Sequence, residues 1–464
     1  KNTYTNIIIL IPENNTIKID LFIKNCITTN NNEQHIGFYK NTDIIKKETK
    51  SHDIKNKLNN LKSKYETIII YFEETNLINF NILTDFSDYI YIIAKGNTIA
   101  PKNSLLIKNI INSKLNQLVH VDLILLFDKT CNMPKLTLSW VKLNVFDRIH
   151  KIKKQYPPHT KRILRFILNK PVALVLSGGG FRGVAYIGLF QALEKLKIPI
   201  DIVTAVSVGS IFGIGIALEY SIEKNKKILD TLMEQFMDSF SELTIPKYSI
   251  LAGKKFNETI KELCGNINVE DTWISTHCPA VNFTEKKLEF FKQGKLWKIV
   301  RASASLPGFF PPTIINKKIY VDGGILNNIP ISFTRKKLLH DEGKIIAVSF
   351  KDKNVVKEKY FFYPDSVNFS KQVQNYFNND TLINLPSIFE ILIESLTINS
   401  DIKSHLEKKE ANINVEIDTK DIQMTEKSVE KLYNLIPSTY NQVLSELQNH
   451  PVIRKIPFRE KPNL

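Results

Sequence analysis

The stretch from Ile202 to Leu218 constrains the fold of this chain most strongly. It reads Ile-Val-Thr-Ala-Val-Ser-Val-Gly-Ser-Ile-Phe-Gly-Ile-Gly-Ile-Ala-Leu. A short β-branched run precedes Ser207 and an apolar run of helical length follows it, so the pattern predicts a sharp strand-to-helix turn, a nucleophile elbow, with the serine at its tip. Such a turn needs small neighbours, because a bulky side chain would meet adjacent backbone. Gly209 fills one small position, and Ala205 fills the other, where glycine is more usual.

The same stretch has a second interpretation as a membrane-spanning helix, because it contains no charged residue. Its length lies at the lower limit for crossing about 30 Å of hydrocarbon, and serine and glycine residues interrupt the apolar run. We therefore favour the strand-to-helix turn.

The composition is that of a globular protein with more than one domain. At 464 residues, 43% of them hydrophobic, the chain is long enough for two or three packed domains. The sequence does not begin with a signal peptide or an apolar anchor. Because its first residue is Lys1, it leaves open whether the protein has further residues upstream. We expect an intracellular, cytoplasmic location without disulfides or a metal site, because the cysteines have neither paired nor zinc-ligand spacing: Cys26, Cys131, Cys264 and Cys278.

The formal net charge of +16 raises the question of a nucleic-acid or anionic-membrane partner. We expect no nucleic acid, because the excess lysine is scattered and no nucleic-acid-binding motif accompanies it. One basic cluster allows two interpretations, a solvated helix face or a surface that steers the protein to membranes. Its residues are Arg148, His150, Lys151, Lys153, Lys154, Lys161, Arg162 and Arg165.

Residues 1–128 alternate strand and helix signals, which predicts a small, parallel, Rossmann-like α/β domain. Its β-rich runs are Ile7–Ile11, Thr67–Phe72, Tyr89–Ala94 and Val121–Phe127. The turn after the first run reads Pro-Glu-Asn-Asn and lacks the glycines of a phosphate-binding loop, so we expect no bound nucleotide. Residues 129–165 are expected to form a basic, helical linker, broken at Pro157-Pro158.

A glycine-rich loop opens the next domain. An apolar strand at 172–176 runs into Ser-Gly-Gly-Gly-Phe-Arg-Gly at 177–183. The spacing would also suit a dinucleotide-binding oxidoreductase with Asp201 as its ribose-binding acid, but that acid belongs at the end of the second strand, where Ser207 lies. Bare N–H groups at a helix N-terminus beside a serine have another use, as an oxyanion hole.

A serine nucleophile needs a proton acceptor. The strand at 318–321 ends at Asp322-Gly-Gly, which places a carboxylate at the carboxyl edge of the sheet, where α/β active sites are built. Four histidines follow Ser207, and none lies in a glycine-bearing turn at the end of a strand: His277, His340, His405 and His450. Asp322 is therefore the better candidate.

Four motifs together resemble the signature blocks of the patatin-like phospholipases. They are Gly-Gly-Gly-Phe-Arg-Gly at 178–183, Val-Ser-Val-Gly at 206–209, Arg-Ala-Ser-Ala-Ser-Leu-Pro-Gly at 301–308 and Asp-Gly-Gly at 322–324. Their order and spacing are most similar to the branch that contains neuropathy target esterase and bacterial lysophospholipases. The resemblance implies a three-layer α/β/α catalytic domain over 166–464, with its core at 166–350, a cover at 351–386 and C-terminal helices at 387–464.

The resemblance also implies a set of roles. Ser207 would be the nucleophile and Asp322 its partner in a Ser-Asp dyad, and the oxyanion loop would comprise Gly178, Gly179, Gly180 and Arg182. The implied activity is hydrolysis of fatty-acyl esters of phospholipids or lysophospholipids through an acyl-enzyme, peripheral to a membrane surface and without a metal or cofactor. The chain departs from the family at Ala205 and Ser177. The alternative is a catalytically weak, membrane-associated scaffold whose elbow is misaligned by Ala205.

The segment Ser387–Glu407 predicts an amphipathic helix. One face carries Ile388, Ile391, Leu392, Ser395 and Leu396. Docking of that face on the core is the default expectation, and contact with lipid is the alternative.

Overall fold

The computed structural model describes residues 6–12, 22–24, 26, 36–44, 51–72, 87–101, 104, 106–108, 119–238, 242–339, 342–351, 388–419, 422 and 428–460. Three sequence-based expectations fall outside these residues: the turn at 13–15, His340 and the cover at 352–386.

The secondary structure alternates strands and helices along the chain. The strands are β1 Asn6–Pro12, β2 Ile36–Lys40, β3 Thr67–Tyr71, β4 Tyr89–Lys95, β5 His120–Phe127, β6 Arg148–Lys153, β7 Val172–Leu176, β8 Ile202–Ala205, β9 Ser275–His277, β10 Pro279–Asn282, β11 Lys287–Phe290, β12 Thr313–Ile315, β13 Lys318–Asp322, β14 Lys344–Phe350 and β15 Ile413–Ile417. The α-helices are α1 Asn41–Ile44, α2 Ser51–Lys62, α3 Leu138–Val141, α4 Pro157–Ile167, α5 Ala185–Lys195, α6 Val208–Ala217, α7 Ile222–Asp238, α8 Lys254–Cys264, α9 Leu296–Ser303, α10 Ile331–Leu338, α11 Ile388–Lys408, α12 Val429–Gln448 and α13 Pro451–Arg454. Single 3₁₀ turns occupy Gly180–Val184, Val269–Asp271 and Gly323–Ile325.

The N-terminal sheet is wholly parallel and has the order β2-β3-β1-β4-β5-β6. β1 is apolar throughout because both of its faces are buried: Ile8 and Leu10 contribute to one core cluster, and Ile7, Ile9 and Ile11 to another. The predicted parallel α/β architecture is confirmed here. The sequence patterns located β1, β3, β4 and β5 but missed β2 and β6.

The segment 129–165 is not the helical linker that we expected. It contains the short helix α3, strand β6 and the start of α4, and β6 extends the N-terminal sheet by pairing with β5. Pro157 and Pro158 do not break a helix but begin α4, because the first helical residues have no intrahelical partner for an N–H group. The apolar side chains of α4, among them Ile163 and Phe166, pack in one cluster with side chains of both parallel sheets.

Lys154 and Lys161 keep partly exposed side chains, at 39% and 24%, but the basic cluster as a whole is not the solvated or membrane-facing surface that we expected. The side chains of Arg148, Lys151, Arg162 and Arg165 are buried. Three of them form ion pairs with carboxylates at N–O distances of 2.6–2.8 Å: Arg148–Asp122, Arg162–Glu219 and Arg165–Asp201. Removing one partner from such a buried pair would leave an uncompensated charge, so these pairs serve the packing of α4 and β6.

The catalytic-domain sheet is parallel, with the order β15-β14-β7-β8-β9. Side chains of β7 alternate between its faces: Leu174 and Leu176 pack with α5 and α12, and Ala173 and Val175 pack with α4 and α10. The predicted three-layer α/β/α architecture is therefore confirmed. A second, antiparallel sheet of order β11-β10-β13-β12 lies beside it and carries Asp322 at the end of β13.

The apolar stretch at 202–218 forms β8 and α6, both largely buried in this domain, so its interpretation as a membrane span is wrong. Nor does any helix among the described residues combine the length and apolar character that crossing a membrane requires. Cys26, Cys131, Cys264 and Cys278 are free thiols.

Candidate active site

Ser207 lies at the sharp turn between β8 and α6. Its backbone has φ 53° and ψ −127°, a combination that strains a residue other than glycine. Two hydrogen bonds stabilise the turn: the Ser207 N–H donates to Ser303 Oγ at 3.1 Å, and the Ser210 hydroxyl donates to the Ser207 carbonyl at 2.6 Å. Ser207 is half-buried at this turn, and its strained backbone is what the predicted elbow requires.

The small residues around the turn are required by contacts with neighbouring backbone. A Cβ atom at Gly209 would lie 2.6 Å from the Ser177 carbonyl oxygen, closer than such atoms can approach. Gly213 leaves space for the methyl group of Ala205. A Cβ atom at position 213 would lie only 3.0 Å from the Ala205 Cβ. The departure at Ala205 is therefore accommodated without distorting the elbow.

Asp322 is 3% exposed at the end of β13. Its Oδ1 accepts the Gly324 N–H at 2.8 Å, whereas Oδ2 has no partner with hydrogen-bond geometry among the described residues. Burial raises the pKa of this carboxyl to about 6, and the facing Ser207 hydroxyl and the Gly324 N–H partly oppose the rise. The Ser207 hydroxyl thus favours the ionised form of the carboxylate although the hydrogen bond between them is not fully formed. Such long hydrogen bonds are common in active sites without substrate.

The glycine loop lies against Ser207. A Cβ atom at Gly178 would be 2.9 Å from the Ser207 Cβ. The Gly178 N–H donates to Asn328 Oδ1 at 2.9 Å, and Arg182 Nε donates to the Gly179 carbonyl at 3.3 Å while its guanidinium lies over the Phe350 ring. In the described part of the chain, the N–H groups of Gly179 and Gly180 have no acceptor.

Asn328 was not identified from the sequence as a site residue. Besides binding Gly178, it donates its backbone N–H to Ser400 Oγ of α11 at 2.8 Å. Its neighbour Asn327 donates from Nδ2 to Glu407 Oε1, also of α11, at 2.8 Å. A sequence signal for this anchor was the spacing of Ser400 and Glu407, which lie seven positions apart and therefore on one side of the helix.

Arg301, in the third motif, organises the segment that leads to Asp322. Its guanidinium donates to Asn257 Oδ1 and Ser305 Oγ, both at 2.6 Å, and to the Pro311 carbonyl at 3.1 Å. Burial lowers the pKa of Arg301 to about 10. Because the Ser305 carbonyl accepts the Asp322 N–H at 2.9 Å, this network determines where the carboxylate lies.

The alternative acid-base residues lie elsewhere. His277 packs edge-on against the Phe333 ring, and its pKa is lowered to about 3, chiefly by burial. His450 caps α13, and among the described residues no histidine is hydrogen-bonded to Ser207 or Asp322. Asp201 binds Arg165 through both carboxylate oxygens, so it cannot serve a ribose. No group of three or more His, Cys, Asp or Glu residues with metal-site geometry occurs in the chain as far as the structure describes it.

The dyad candidates and the glycine loop fall within residues 174–334, which match the family model for the patatin-like phospholipases. Residues 174–334 form a patatin-like phospholipase domain. The resemblance inferred from the four motifs is thereby confirmed. The patatin-like domain is similar to lysophospholipase NTE1 of Meyerozyma guilliermondii, with 37% identity over 179 residues, and to lysophospholipase NTE1 of Candida albicans, with 34% identity over 194 residues.

These matches cover 38% and 40% of this chain but only 12% and 14% of the two fungal proteins. The chain thus spans a small part of the length of these relatives. Among solved structures, the crystal structure of VipD from Legionella pneumophila matches 62% of this chain and 67% of its own, with 15% identity and a TM-score of 0.34.

Proposed function

We propose that the patatin-like domain is a serine acyl hydrolase that releases fatty acids from lysophospholipids or phospholipids. The observation that carries this proposal is the strained Ser207 facing the buried, unpartnered Oδ2 of Asp322. The similarity to proteins named lysophospholipases supports a lipid ester as the substrate class.

Each step of the reaction uses this chain's own groups. Asp322 Oδ2 accepts the Ser207 proton as Oγ attacks the ester carbonyl, and the proton then passes to the departing alcohol, which leaves a fatty-acyl serine. Water attacks the acyl-enzyme while Asp322 accepts its proton, and that proton returns to Ser207 Oγ as the fatty acid is released. With a pKa of about 6, the carboxyl is ionised at neutral pH yet more basic than an exposed aspartate.

The loop residues divide into donors and supports in this proposal. We assign the N–H groups of Gly179 and Gly180 to the oxyanion, because neither has an acceptor among the described residues. Gly178 and Arg182 hold the loop in place through Asn328 and the Gly179 carbonyl. Losing one such donor typically costs a factor of about 10²–10³ in kcat.

The competing function is a scaffold with little turnover. That alternative rested on a misaligned elbow at Ala205, and the space that Gly213 leaves for the Ala205 methyl group argues against such a misalignment. The cytoplasmic, membrane-peripheral setting remains part of the proposal, as does the expectation that the N-terminal domain binds no nucleotide.

A fluorophosphonate probe tests the dyad, because it labels only an activated serine. Wild type should be labelled and should release fatty acid from lysophosphatidylcholine, whereas Ser207→Ala and Asp322→Asn should do neither. Ser395→Ala, at an exposed serine of α11, is the matched control. Labelling of Ser207→Ala, or near-normal turnover by either dyad variant, would refute the assignment. A panel of lyso and diacyl lipids then identifies the preferred substrate.

A further inference from the structure

Helix α11 exposes apolar side chains along its second half. Ile398, Ile402 and Leu406, spaced four residues apart on one face, are 55%, 61% and 61% exposed, and Leu396 is exposed as well. We call Ile398, Ile402 and Leu406 the α11 stripe. Of the face that was expected to dock on the core, Ser395 and Leu396 are exposed, and the side chains at 388, 391 and 392 lie outside the described part of the chain.

The opposite side of α11 is polar and buried. Ser400 accepts the Asn328 N–H, and Glu407 accepts hydrogen bonds from Asn327 Nδ2, at 2.8 Å, and from the N–H and hydroxyl of Ser332, at 2.6 and 2.8 Å. A surface helix of a globular protein normally shows the reverse polarity, with its apolar face inward. The hydrogen bonds therefore attach α11 to the segment after Asp322, and the stripe needs an occupant of its own.

The size of the stripe favours a lipid surface over a second protein chain. Three side chains exposed to this degree present about 350 Å², a size typical of functional patches. A stable dimer commonly buries about 800 Å² per partner, so the stripe is too small by itself. Asp401 and Lys403 are both exposed, one at either edge of this face, so the charge along its edges is balanced.

We propose that the α11 stripe docks this protein on a lipid surface, with its apolar side chains in the interfacial layer. The inference rests on the proposed function in one respect, because a lipid ester is the substrate that such docking would supply. Through Ser400 and Glu407 the docked helix holds Asn327 and Asn328, and Asn328 in turn binds the glycine loop beside Ser207. Docking thereby brings the membrane to the side of the site where α11 lies.

A hairpin at 242–251 supplies an independent observation of the same kind. Leu243 pairs with Leu251 across it, and Ile245 and Tyr248 near its tip are 84% and 72% exposed. The hairpin donates N–H groups from Ile250 and Leu251 to the carbonyls of residues 308 and 309, at 2.9 and 3.0 Å. The hairpin is thus hydrogen-bonded to the segment before Asp322, and α11 is hydrogen-bonded to the segment after it.

The test measures binding to phosphatidylcholine vesicles that contain phosphatidylserine, in the Ser207→Ala background so that no lipid is consumed. The variant is Ile398→Gln/Ile402→Gln/Leu406→Gln, whose side chains point to solvent. Ile99→Gln, at a 69% exposed isoleucine of the N-terminal domain, is the control. We expect the triple variant to bind at least tenfold more weakly, with an unchanged melting temperature, and the control to bind like its parent.

The outcomes separate this inference from the proposed function, because vesicle binding requires no turnover. Unchanged binding by the triple variant, or no binding by the parent, would overturn the docking role even if Ser207 proves to be the nucleophile. A parent that is dimeric by size-exclusion chromatography and a triple variant that is monomeric would assign the stripe to a second copy of the chain instead. With Ser207 restored, the ratio of vesicle-lipid to soluble-ester turnover should fall in the triple variant.

Discussion

Replacing Asp322 by asparagine should stabilise the protein while it removes activity. Burial raises the pKa of this carboxyl from 3.8 to about 6, so the folded state favours the neutral form. A raised pKa means that the contribution of Asp322 to stability is fully present below pH 3.8 and is lost as the pH rises through about 6. At about 1.4 kcal/mol for each tenfold change in the ionisation equilibrium, the loss reaches about 3 kcal/mol at pH 8.

Asparagine keeps the shape of the side chain but carries no charge, so it escapes this loss. The oxygen of the introduced amide can keep the Gly324 hydrogen bond, while the amide nitrogen takes the place of the unpartnered Oδ2. We expect Asp322→Asn to raise the melting temperature at pH 8 by about 6–12 °C, since about 3 kcal/mol is recovered and 1 kcal/mol is worth about 2–4 °C in a domain of this size. The gain should largely disappear at pH 4, where the wild-type carboxyl is mostly protonated in the folded state and about half protonated in the unfolded state.

Differential scanning fluorimetry of both proteins from pH 4 to pH 8 measures this difference. The control is Asp128→Asn, at an exposed carboxylate whose pKa is lowered by Lys154, and it should give no gain at pH 8. A gain for Asp322→Asn that is equal at both pH values, or a loss at pH 8, would refute the reasoning, because neither follows from a buried charge.

The same pKa predicts that kcat/KM falls about tenfold per pH unit below pH 6 and is level above it, since Asp322 must be ionised to accept the serine proton; a soluble-ester pH profile measures this. Asn328→Ala should lower the rate of fluorophosphonate labelling about tenfold or more, because Gly178 loses its anchor. Arg165→Ala should lower the free energy of unfolding by about 3–5 kcal/mol in urea denaturation, because Asp201 is left buried and unpaired. Activity should survive EDTA or EGTA, because loop N–H groups supply the oxyanion donors; a tenfold loss restored by calcium would contradict this.

The local sequence by itself determined several strands and the candidate dyad. Apolar and β-branched runs are buried on both faces, so they identified β1, β3, β4, β5 and β7 without any knowledge of partners. The elbow at Ser207 and the strand end at Asp322 were equally visible, because each depends on a few adjacent residues: a strand, a turn and small neighbours.

Only the tertiary structure decided the features that depend on distant partners. The basic residues of 148–165 have the sequence pattern of a solvated surface, and their burial became possible only because Asp122, Asp201 and Glu219 come from elsewhere in the fold. The role of Asn328 depends on a loop 150 positions away, at Gly178. For α11 the periodicity established one apolar face and one polar face, but which of them points inward followed from hydrogen-bond partners at 327–332. Sequence periodicity indicates how side chains are arranged around a helix or strand, whereas hydrogen bonds and ion pairs with distant residues decide which side is buried.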